Sequence, residues 1–195
     1  MKTKLSSLLF CLFLAGCIGG VSMPSKFYSL ESISPETAAE TYSLKTAVGV
    51  EEFRIPRYID RPQIVTRDAN AVELKVSELN RWSEPLSFMM QRTMADDLSV
   101  YLPNSMVKPK IYARESFNYN VFVEVNRFDA TLGKTAILEA WWSIFNAKDN
   151  SLVTRQKSTF SLPIGDNYDD MVIAQSKLLQ DLAKQIAQTL NKRKK

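Results

Sequence analysis

The sequence contains no histidine among its 195 residues, and this absence limits the chemistry that the protein can perform. Histidine-dependent general base catalysis, the Ser-His-Asp triad and most zinc sites are excluded at once. Only six glycines are present, and they form no glycine-rich phosphate-binding loop. A hydrolase is disfavoured by the missing histidine, although this absence does not exclude serine–lysine chemistry. The sequence therefore predicts a protein that is not an enzyme and that binds no metal or dissociable cofactor.

Three acidic pairs are adjacent in the chain, at Glu51–Glu52, Asp96–Asp97 and Asp169–Asp170. Neighbouring side chains do not face each other on a helix, so such a pair does not form a shared catalytic site. We therefore expect surface charge at these positions, or charge at a helix N-terminus, where the helix dipole favours it.

Only two cysteines are present, and both lie in the first 17 residues. The apolar stretch over residues 8–15 is far shorter than the roughly 20 residues that a membrane-spanning helix needs. It follows two lysines and ends in small residues, which is typical of a secretory signal peptide. The alternative is a buried N-terminal helix, but Gly16, Gly19 and Gly20 would destabilise that helix.

The four residues Leu14-Ala15-Gly16-Cys17 resemble the lipobox of bacterial lipoproteins. The resemblance implies a signal peptide over residues 1–16 that is cleaved between Gly16 and Cys17. The Cys17 sulfur would then carry a diacylglyceryl group, and its new amine would carry an acyl chain. Cys11 would leave with the signal peptide, so the mature chain could form no disulfide. Residues 17–25 would be a lipidated tether.

Removing 16 of the 195 residues leaves 179, which is enough for one domain with its own core. We predict a single domain over residues 26–191, followed by a basic tail over 192–195. The formal charge of +4 falls to +2, because Lys2 and Lys4 leave with the signal peptide. Together with the lack of a basic–aromatic groove pattern, this argues against nucleic acid as a partner.

The hydrophobic periodicity predicts strands, a helix, more strands and a second helix. Short strands are expected at residues 26–30 and 46–53, and a hairpin over 62–76. A helix capped by Ser83 should present a stripe that contains three methionines, packed against a sheet or, as the alternative, lining a partner groove. An antiparallel meander over 119–162 and a helix over 167–190 complete the chain. The predicted fold class is α+β, a two-layer domain with a mainly antiparallel sheet and two long helices packed on one face.

Residues 54–67 are unusual because they combine four arginines with two prolines. From the residues alone, Pro56 and Pro62 predict a rigid, extended surface crossover, in which Asp60 can pair with one arginine. The pattern PxYxDRPQIVxR, followed by RWxEPL and by VxVxxFD over residues 123–129, resembles the PqiC family of ABC-type transport auxiliary lipoproteins. The resemblance runs over nearly the whole mature chain.

This resemblance implies a non-enzymatic subunit of a lipid transport system, which works with an inner-membrane permease and a periplasm-spanning MCE-domain protein. The lipoprotein would dock that MCE-domain partner at the outer membrane and support membrane integrity. Residue 18 is Ile and not Asp, the usual signal for retention in the inner membrane, so we expect the outer membrane, facing the periplasm. The alternative is a periplasmic carrier that binds a lipid or apolar ligand between the sheet and the helices.

The two proline-containing motifs supply the candidate site residues. We predict that Arg57, Asp60 and Arg61 lie at a contact with the MCE-domain partner or with further copies of the chain in a ring. Structural roles are expected for four further residues, with the Trp82 ring packed onto the first turn of the following helix near Leu86. These four residues are Pro62, Trp82, Glu84 and Pro85.

Overall fold

The computed structural model describes residues 23–70, 72–111 and 116–193. The predicted α+β two-layer architecture is confirmed, with eight strands and two helices in these ranges. The strands are β1 (Lys26–Tyr28), β2 (Ala47–Val50), β3 (Gln63–Arg67), β4 (Leu74–Trp82), β5 (Met106–Pro109), β6 (Tyr119–Thr131), β7 (Thr135–Asn146) and β8 (Leu152–Pro163), and the helices are α1 (Leu86–Tyr101) and α2 (Tyr168–Lys192). The predicted signal peptide with its last residue Gly16, and the predicted lipidation site Cys17, lie outside the described residues.

The strands form two sheets, so the expectation of one sheet is wrong. The larger sheet has the order β5-β2-β6-β7-β8, and the smaller has the order β1-β4-β3. In the larger sheet, β6, β7 and β8 form the predicted antiparallel meander, whereas β2 pairs in parallel with both β5 and β6. The predicted hairpin forms between β3 and β4, but β4 continues to Trp82 and there pairs with β1. That parallel pairing draws the hairpin into a sheet of its own.

The two turns of the meander each contain a residue with positive φ. Gly133, between β6 and β7, has a φ of 71°, and Asn150, between β7 and β8, has a φ of 56°. Glycine and asparagine adopt this left-handed conformation more readily than other residues do. These two residues let the long strands reverse within a few residues.

A β-bulge in β6 changes which face its side chains occupy. The register between β6 and β7 shifts between Val125 and Arg127, so that the strand carries one extra residue there. As a result, Phe128 lies on the same buried side as Val125, and not on the side of Phe122 as the simple alternation predicted. The same shift turns Asp129 to the opposite face, away from the helices.

The two helices pack over one face of the larger sheet, as predicted. Helix α1 lies over β2 and β5, and α2 lies over β7 and β8. On the strand side of this core, the Trp142 indole nitrogen donates a 2.9 Å hydrogen bond to Ser158 Oγ, which in turn donates to Gln185 of α2. The apolar side chains of the core are almost completely buried, including Leu138, Trp142, Ile144, Leu178, Leu182 and Ile186.

The helix ends differ in how well the sequence indicated them. Helix α2 begins at Tyr168, one residue after the predicted start, and Asn167 is its N-cap residue, whose side chain accepts a 2.8 Å hydrogen bond from the backbone N–H of Asp170. Helix α1 begins later than predicted, with Pro85 and not Ser83 as its N-cap residue, and no side chain caps it. The helix begins later because the chain still runs beside β1 at residue 83, where the Ser83 N–H donates to the carbonyl of Tyr28. The methionines of α1 (Met89, Met90 and Met94) are completely buried and so form core, not an open groove.

Asp97 lies in this buried stripe of α1, so the expectation of surface charge is wrong at this position. Its Oδ1 accepts a 2.7 Å hydrogen bond from the backbone N–H of Ile33, and its Oδ2 has no hydrogen-bond partner among the described residues. Ile33 belongs to the segment that crosses both helices between β1 and β2. Burial, opposed by the hydrogen bond from the Ile33 N–H and aided by the charge of Asp96, raises the pKa of Asp97 to about 7.

Asp97 should make the free energy of unfolding depend on pH. Its pKa is higher in the folded than in the unfolded chain, so the folded state binds the proton more tightly. The free energy of unfolding should therefore fall as the pH rises from about 4 to about 7. Asp97→Asn removes this titration and keeps an acceptor for the Ile33 N–H. We expect the difference between wild type and Asp97→Asn to change by roughly 2–4 kcal/mol over this range, measured by urea unfolding.

Asp166→Asn, at an exposed aspartate before α2, is the control and should change the pH dependence much less. Parallel stability curves for wild type and Asp97→Asn would contradict the prediction.

Candidate functional site

The buried carboxylate of Asp129 joins the two motifs on either side of it in the sequence. Asp129 is the acidic residue of the VxVxxFD pattern, and the bulge in β6 directs it away from the helices. Its Oδ2 accepts hydrogen bonds from the Tyr58 hydroxyl at 3.0 Å and from Arg67 Nη2 at 2.8 Å. Its Oδ1 accepts one from Arg127 Nε at 3.0 Å. Tyr58 and Arg67 both belong to the PxYxDRPQIVxR pattern, so two patterns that are distant in sequence meet at one carboxylate.

Tyr58 and Arg67 keep their protons in this network at neutral pH. Burial, followed by the charge of Asp129 and the hydrogen bond to it, raises the pKa of Tyr58 to about 12, so the hydroxyl stays a donor. The hydrogen bond to Asp129 raises the pKa of Arg67 above its ordinary value. The Arg67 guanidinium also lies 6.0 Å from the centre of the Tyr58 ring, within reach of a cation–π interaction. The three side chains therefore form a charged and well-satisfied brace.

The crossover between β2 and β3 is folded, and the expectation of an extended segment is wrong. The Ile59 N–H donates to the Pro56 carbonyl at 3.1 Å, and the Arg61 N–H donates to the Ile59 carbonyl at 2.9 Å. Ile59 is buried, with 3% of its surface exposed. Burial of Ile59 and the bond from Tyr58 to Asp129 draw the chain into a turn, although its two prolines favour extended backbone at the residues before them.

This turn and the start of α1 form a groove, which we call the motif groove. It is lined on one side by Asp60, Arg61 and Pro62 and on the other by residues 82–85, and it has a volume of about 370 Å³. The backbone N–H of Trp82 donates a 2.7 Å hydrogen bond to the Pro62 carbonyl, and this bond holds the two sides of the groove together. Six of the predicted site residues therefore lie in one place: Asp60, Arg61, Pro62, Trp82, Glu84 and Pro85.

Trp82 is buried, but it does not occupy the staple position that the sequence suggested. A hydrophobic staple requires the residue immediately before the N-cap, and that residue is Glu84 because the cap is Pro85. Trp82 is instead the last residue of β4, beside Tyr28 of β1, with 5% of its surface exposed. It forms the apolar wall of the motif groove.

Glu84 connects the motif groove to α1. Its carboxylate forms a bidentate ion pair with the Arg92 guanidinium, two turns into the helix, with one oxygen at 3.0 Å from Arg92 Nη1. Two parallel bonds of this kind fix orientation as well as distance. The entry into α1 is therefore held by a charged pair, where the sequence predicted a serine cap.

The charged residues predicted for a partner contact are displayed on the surface of the turn. Arg57, Asp60 and Arg61 are all exposed, and none of their side chains forms a hydrogen bond or ion pair with any described residue. The expectation that Asp60 pairs with an arginine of the crossover is therefore wrong. The other two arginines of the crossover bind within the domain. The Arg67 side chain binds Asp129, and the backbone of Arg54 is hydrogen-bonded to β6. Arg57 and Arg61 remain available to an external partner.

A second surface was not identified from the sequence. On the face of the larger sheet opposite the helices, a groove of about 270 Å³ is lined by Phe122, Trp141, Phe145 and charged residues around them. The rings of Phe122 and Phe145 meet edge to face at 5.1 Å, and the Arg155 guanidinium lies 5.1 Å from the Trp141 ring. The sequence shows apolar residues on both faces of β7, but periodicity alone does not show which face is covered.

The described residues also bear on metal binding and on membrane crossing. No group of three or more His, Cys, Asp or Glu side chains there is arranged to hold a metal ion. Neither described helix combines the length and the apolar character that crossing a membrane requires.

The sequence matches a family model described as "ABC-type transport auxiliary lipoprotein component" over residues 28–187. A crystal structure of an uncharacterized protein shares the fold with a TM-score of 0.70 and 18% identity, covering 85% of this chain and 98% of that chain. Protein XCC0632 from Xanthomonas campestris, of the DUF330 family, gives a TM-score of 0.66 and 18% identity, covering 85% of this chain and 95% of its own. No curated protein matches the sequence.

Removal of the Asp129 carboxylate should destabilise the protein more than removal of an exposed one. Asp129→Ala leaves Arg67 and Arg127 without their shared acceptor, and breaking a buried pair in this way costs about 3 kcal/mol or more. Asp166→Ala, at an exposed aspartate before α2, is the control and should change the free energy of unfolding by less than about 0.5 kcal/mol. Chemical denaturation of both variants provides the measurement. Equal effects would show that Asp129 braces nothing.

Proposed function

The chain belongs to the family of ABC-type transport auxiliary lipoprotein components, and we propose that it is the membrane-anchored docking subunit of a lipid transport system. In this proposal it holds the outer end of a periplasm-spanning MCE-domain protein at the outer membrane and so supports membrane integrity. It performs no chemistry itself. The observation that carries the proposal is the exposed charged turn of the crossover, fixed from beneath by the Asp129 brace.

The anchor in this proposal is Cys17, exposed as the first mature residue by cleavage after Gly16. A diacylglyceryl group on its sulfur and an acyl chain on its amine would supply more than the two chains that stable membrane attachment requires. Ile18 follows the anchor, in place of the aspartate that retains lipoproteins in the inner membrane, and this favours the outer membrane.

The docking contact in this proposal is made by Arg57, Asp60 and Arg61. Because the turn that bears them is already fixed, little conformational entropy would be lost when a partner binds. Arginine is also enriched among residues that dominate interface energies. The partner is the MCE-domain protein or a second copy of the chain, since a ring-shaped partner favours a matching symmetric ring.

The carrier alternative requires space for a ligand between the sheet and the helices. The strand that suggested such a space, β7, buries Leu138, Trp142 and Ile144 against the helices with at most 1% of their surface exposed. A filled core of this kind supports docking over carrying. Solvent extraction of the purified protein followed by mass spectrometry separates the two, because stoichiometric apolar ligand would favour the carrier.

The proposed anchor predicts a location. On a sucrose density gradient, the wild-type protein should sediment mainly with the outer membrane. Cys17→Ser should shift it to the soluble fraction or leave an uncleaved precursor, with unchanged thermal unfolding of the domain. Sedimentation of the wild type with the inner membrane would contradict the assignment to the outer membrane.

The proposed contact predicts a loss of binding without a loss of stability. The double variant Arg57→Ala, Arg61→Ala should weaken capture of the MCE-domain partner, or self-assembly measured by light scattering, by about tenfold or more. Its melting temperature should stay close to that of the wild type, because neither side chain bonds to a described residue. Lys45→Ala with Lys148→Ala removes the same charge from exposed positions elsewhere and should leave binding intact. If assembly and capture persist in the arginine variant, the interface lies elsewhere.

A further inference from the structure

Three of the four most exposed large apolar side chains among the described residues lie at the end of the domain where the described chain begins. Met23 precedes β1 and is 70% exposed, Phe27 in β1 is 67% exposed, and Ile173 in the second turn of α2 is 68% exposed. Phe27 and Ile173 line one groove of about 520 Å³. An adjoining groove, which shares Tyr28 and Asp169 with the first, is lined by Met23. We call Met23, Phe27 and Ile173 the N-terminal apolar patch.

The chain that precedes the patch limits how far it can be from the lipid anchor. Residues 17–22 are the six residues up to Met23, starting at Cys17. A fully extended chain spans at most about 3.6 Å per residue, so the attachment point lies within roughly 20 Å of Met23. A lipid on Cys17 therefore brings this end of the domain close to the bilayer surface, and the patch is the apolar surface nearest to it.

The charges around the patch are of both signs, with no excess of positive charge. Lys26 and Lys177 are exposed beside it, and Glu31, Asp166 and Asp169 line its two grooves. The Asp169 carboxylate already accepts a 2.8 Å hydrogen bond from the Tyr28 hydroxyl, which also fixes β1 against α2. A surface with this balance suits zwitterionic lipid, which it would contact through apolar side chains and not through attraction to anionic headgroups.

We propose that the N-terminal apolar patch rests on the bilayer that holds the chain's own anchor, with Phe27 and Ile173 entering the lipid interface. The proposal rests on the lipidation of Cys17 given under the proposed function.

Contact between the patch and the bilayer also sets the orientation of the domain. The β6–β7 turn lies at the membrane end, because the Gly133 N–H donates to the Gly165 carbonyl beside the patch groove residue Asp166. The β7–β8 turn lies at the other end of the twelve-residue strand β7 and so points away from the bilayer.

The test uses the lipidated full-length protein in phosphatidylcholine vesicles that contain nitroxide-labelled lipid. The mature chain has no thiol other than Cys17, whose sulfur carries the lipid, so an introduced cysteine can be labelled alone with a fluorophore. Lys177→Cys places the label in the patch groove, and Lys148→Cys places it in the β7–β8 turn as the matched control. We expect several-fold stronger quenching by the nitroxide lipid at position 177 than at 148. The difference should persist in 1 M salt, where the Debye length is only about 3 Å.

Adding Phe27→Ser and Ile173→Ser to Lys177→Cys should lower the ratio of lipid-contacting to free label by about tenfold or more, because both apolar anchors are lost. The protein should still float with the vesicles through its lipid. Equal quenching at 177 and 148, or quenching that disappears in 1 M salt, would overturn the proposal. So would a label at 177 that is shielded from aqueous iodide but not quenched by the lipid, since a protein would then cover the patch. Failure to float would instead overturn the lipidation of Cys17.

Discussion

The buried carboxylate of Asp129 is the interaction on which the arrangement of the motifs depends. A charge in this position is costly unless it is paired, and Tyr58, Arg67 and Arg127 supply its hydrogen bonds. Tyr58 belongs to the crossover and Arg67 to β3, while Asp129 itself lies on β6 of the other sheet. The smaller sheet and the crossover are therefore held against the larger sheet by the requirement to neutralise one carboxylate.

A series of hydrogen bonds and ion pairs extends from this brace to the surface. The fixed crossover places Pro62 where its carbonyl can accept the Trp82 N–H, and this bond closes the motif groove. Beyond Trp82, the Glu84–Arg92 pair connects the groove to α1. The residues that face solvent in the turn are thus supported by a continuous series of contacts that reaches both layers of the core. A partner that binds there would meet a surface with one conformation.

The long periodic segments of the sequence predicted the fold well, whereas the local irregularities of the structure could not be predicted from it. The apolar stripe of α2 predicted both ends of that helix to within two residues, because repeated burial of one face determines it. The face of Phe128 was predicted wrongly, since a bulge inverts the alternation and leaves no mark in composition. The burial of Asp97 could not be predicted, because the hydrogen bond that this carboxylate accepts comes from Ile33, in a segment distant in sequence. β5 was missed because its four residues carry too little pattern.

For the candidate site, the sequence patterns named the residues but not their contacts. Asp60, Arg61 and Trp82 were expected to matter, and the structure brings them to one groove. Pro56 and Pro62 predicted an extended crossover, whereas the segment forms a turn because Ile59 is buried. The acceptor for Tyr58 and Arg67 lies 62 or more residues further along the chain, at Asp129. No local rule connects positions so far apart.

The shortness of β1 has a mechanical consequence for a protein tethered at its N-terminus. Any pull between the anchor and a bound partner enters the fold through a strand of three residues, paired in parallel with β4 alone. Such a strand can detach under load without disturbing the sheets behind it. The next backbone N–H bonds along the chain run from Leu30 to Met89 and from Ile33 to Asp97 on α1, and from Glu31 to Ser176 on α2. The force is therefore divided between α1 and α2 before it reaches the core.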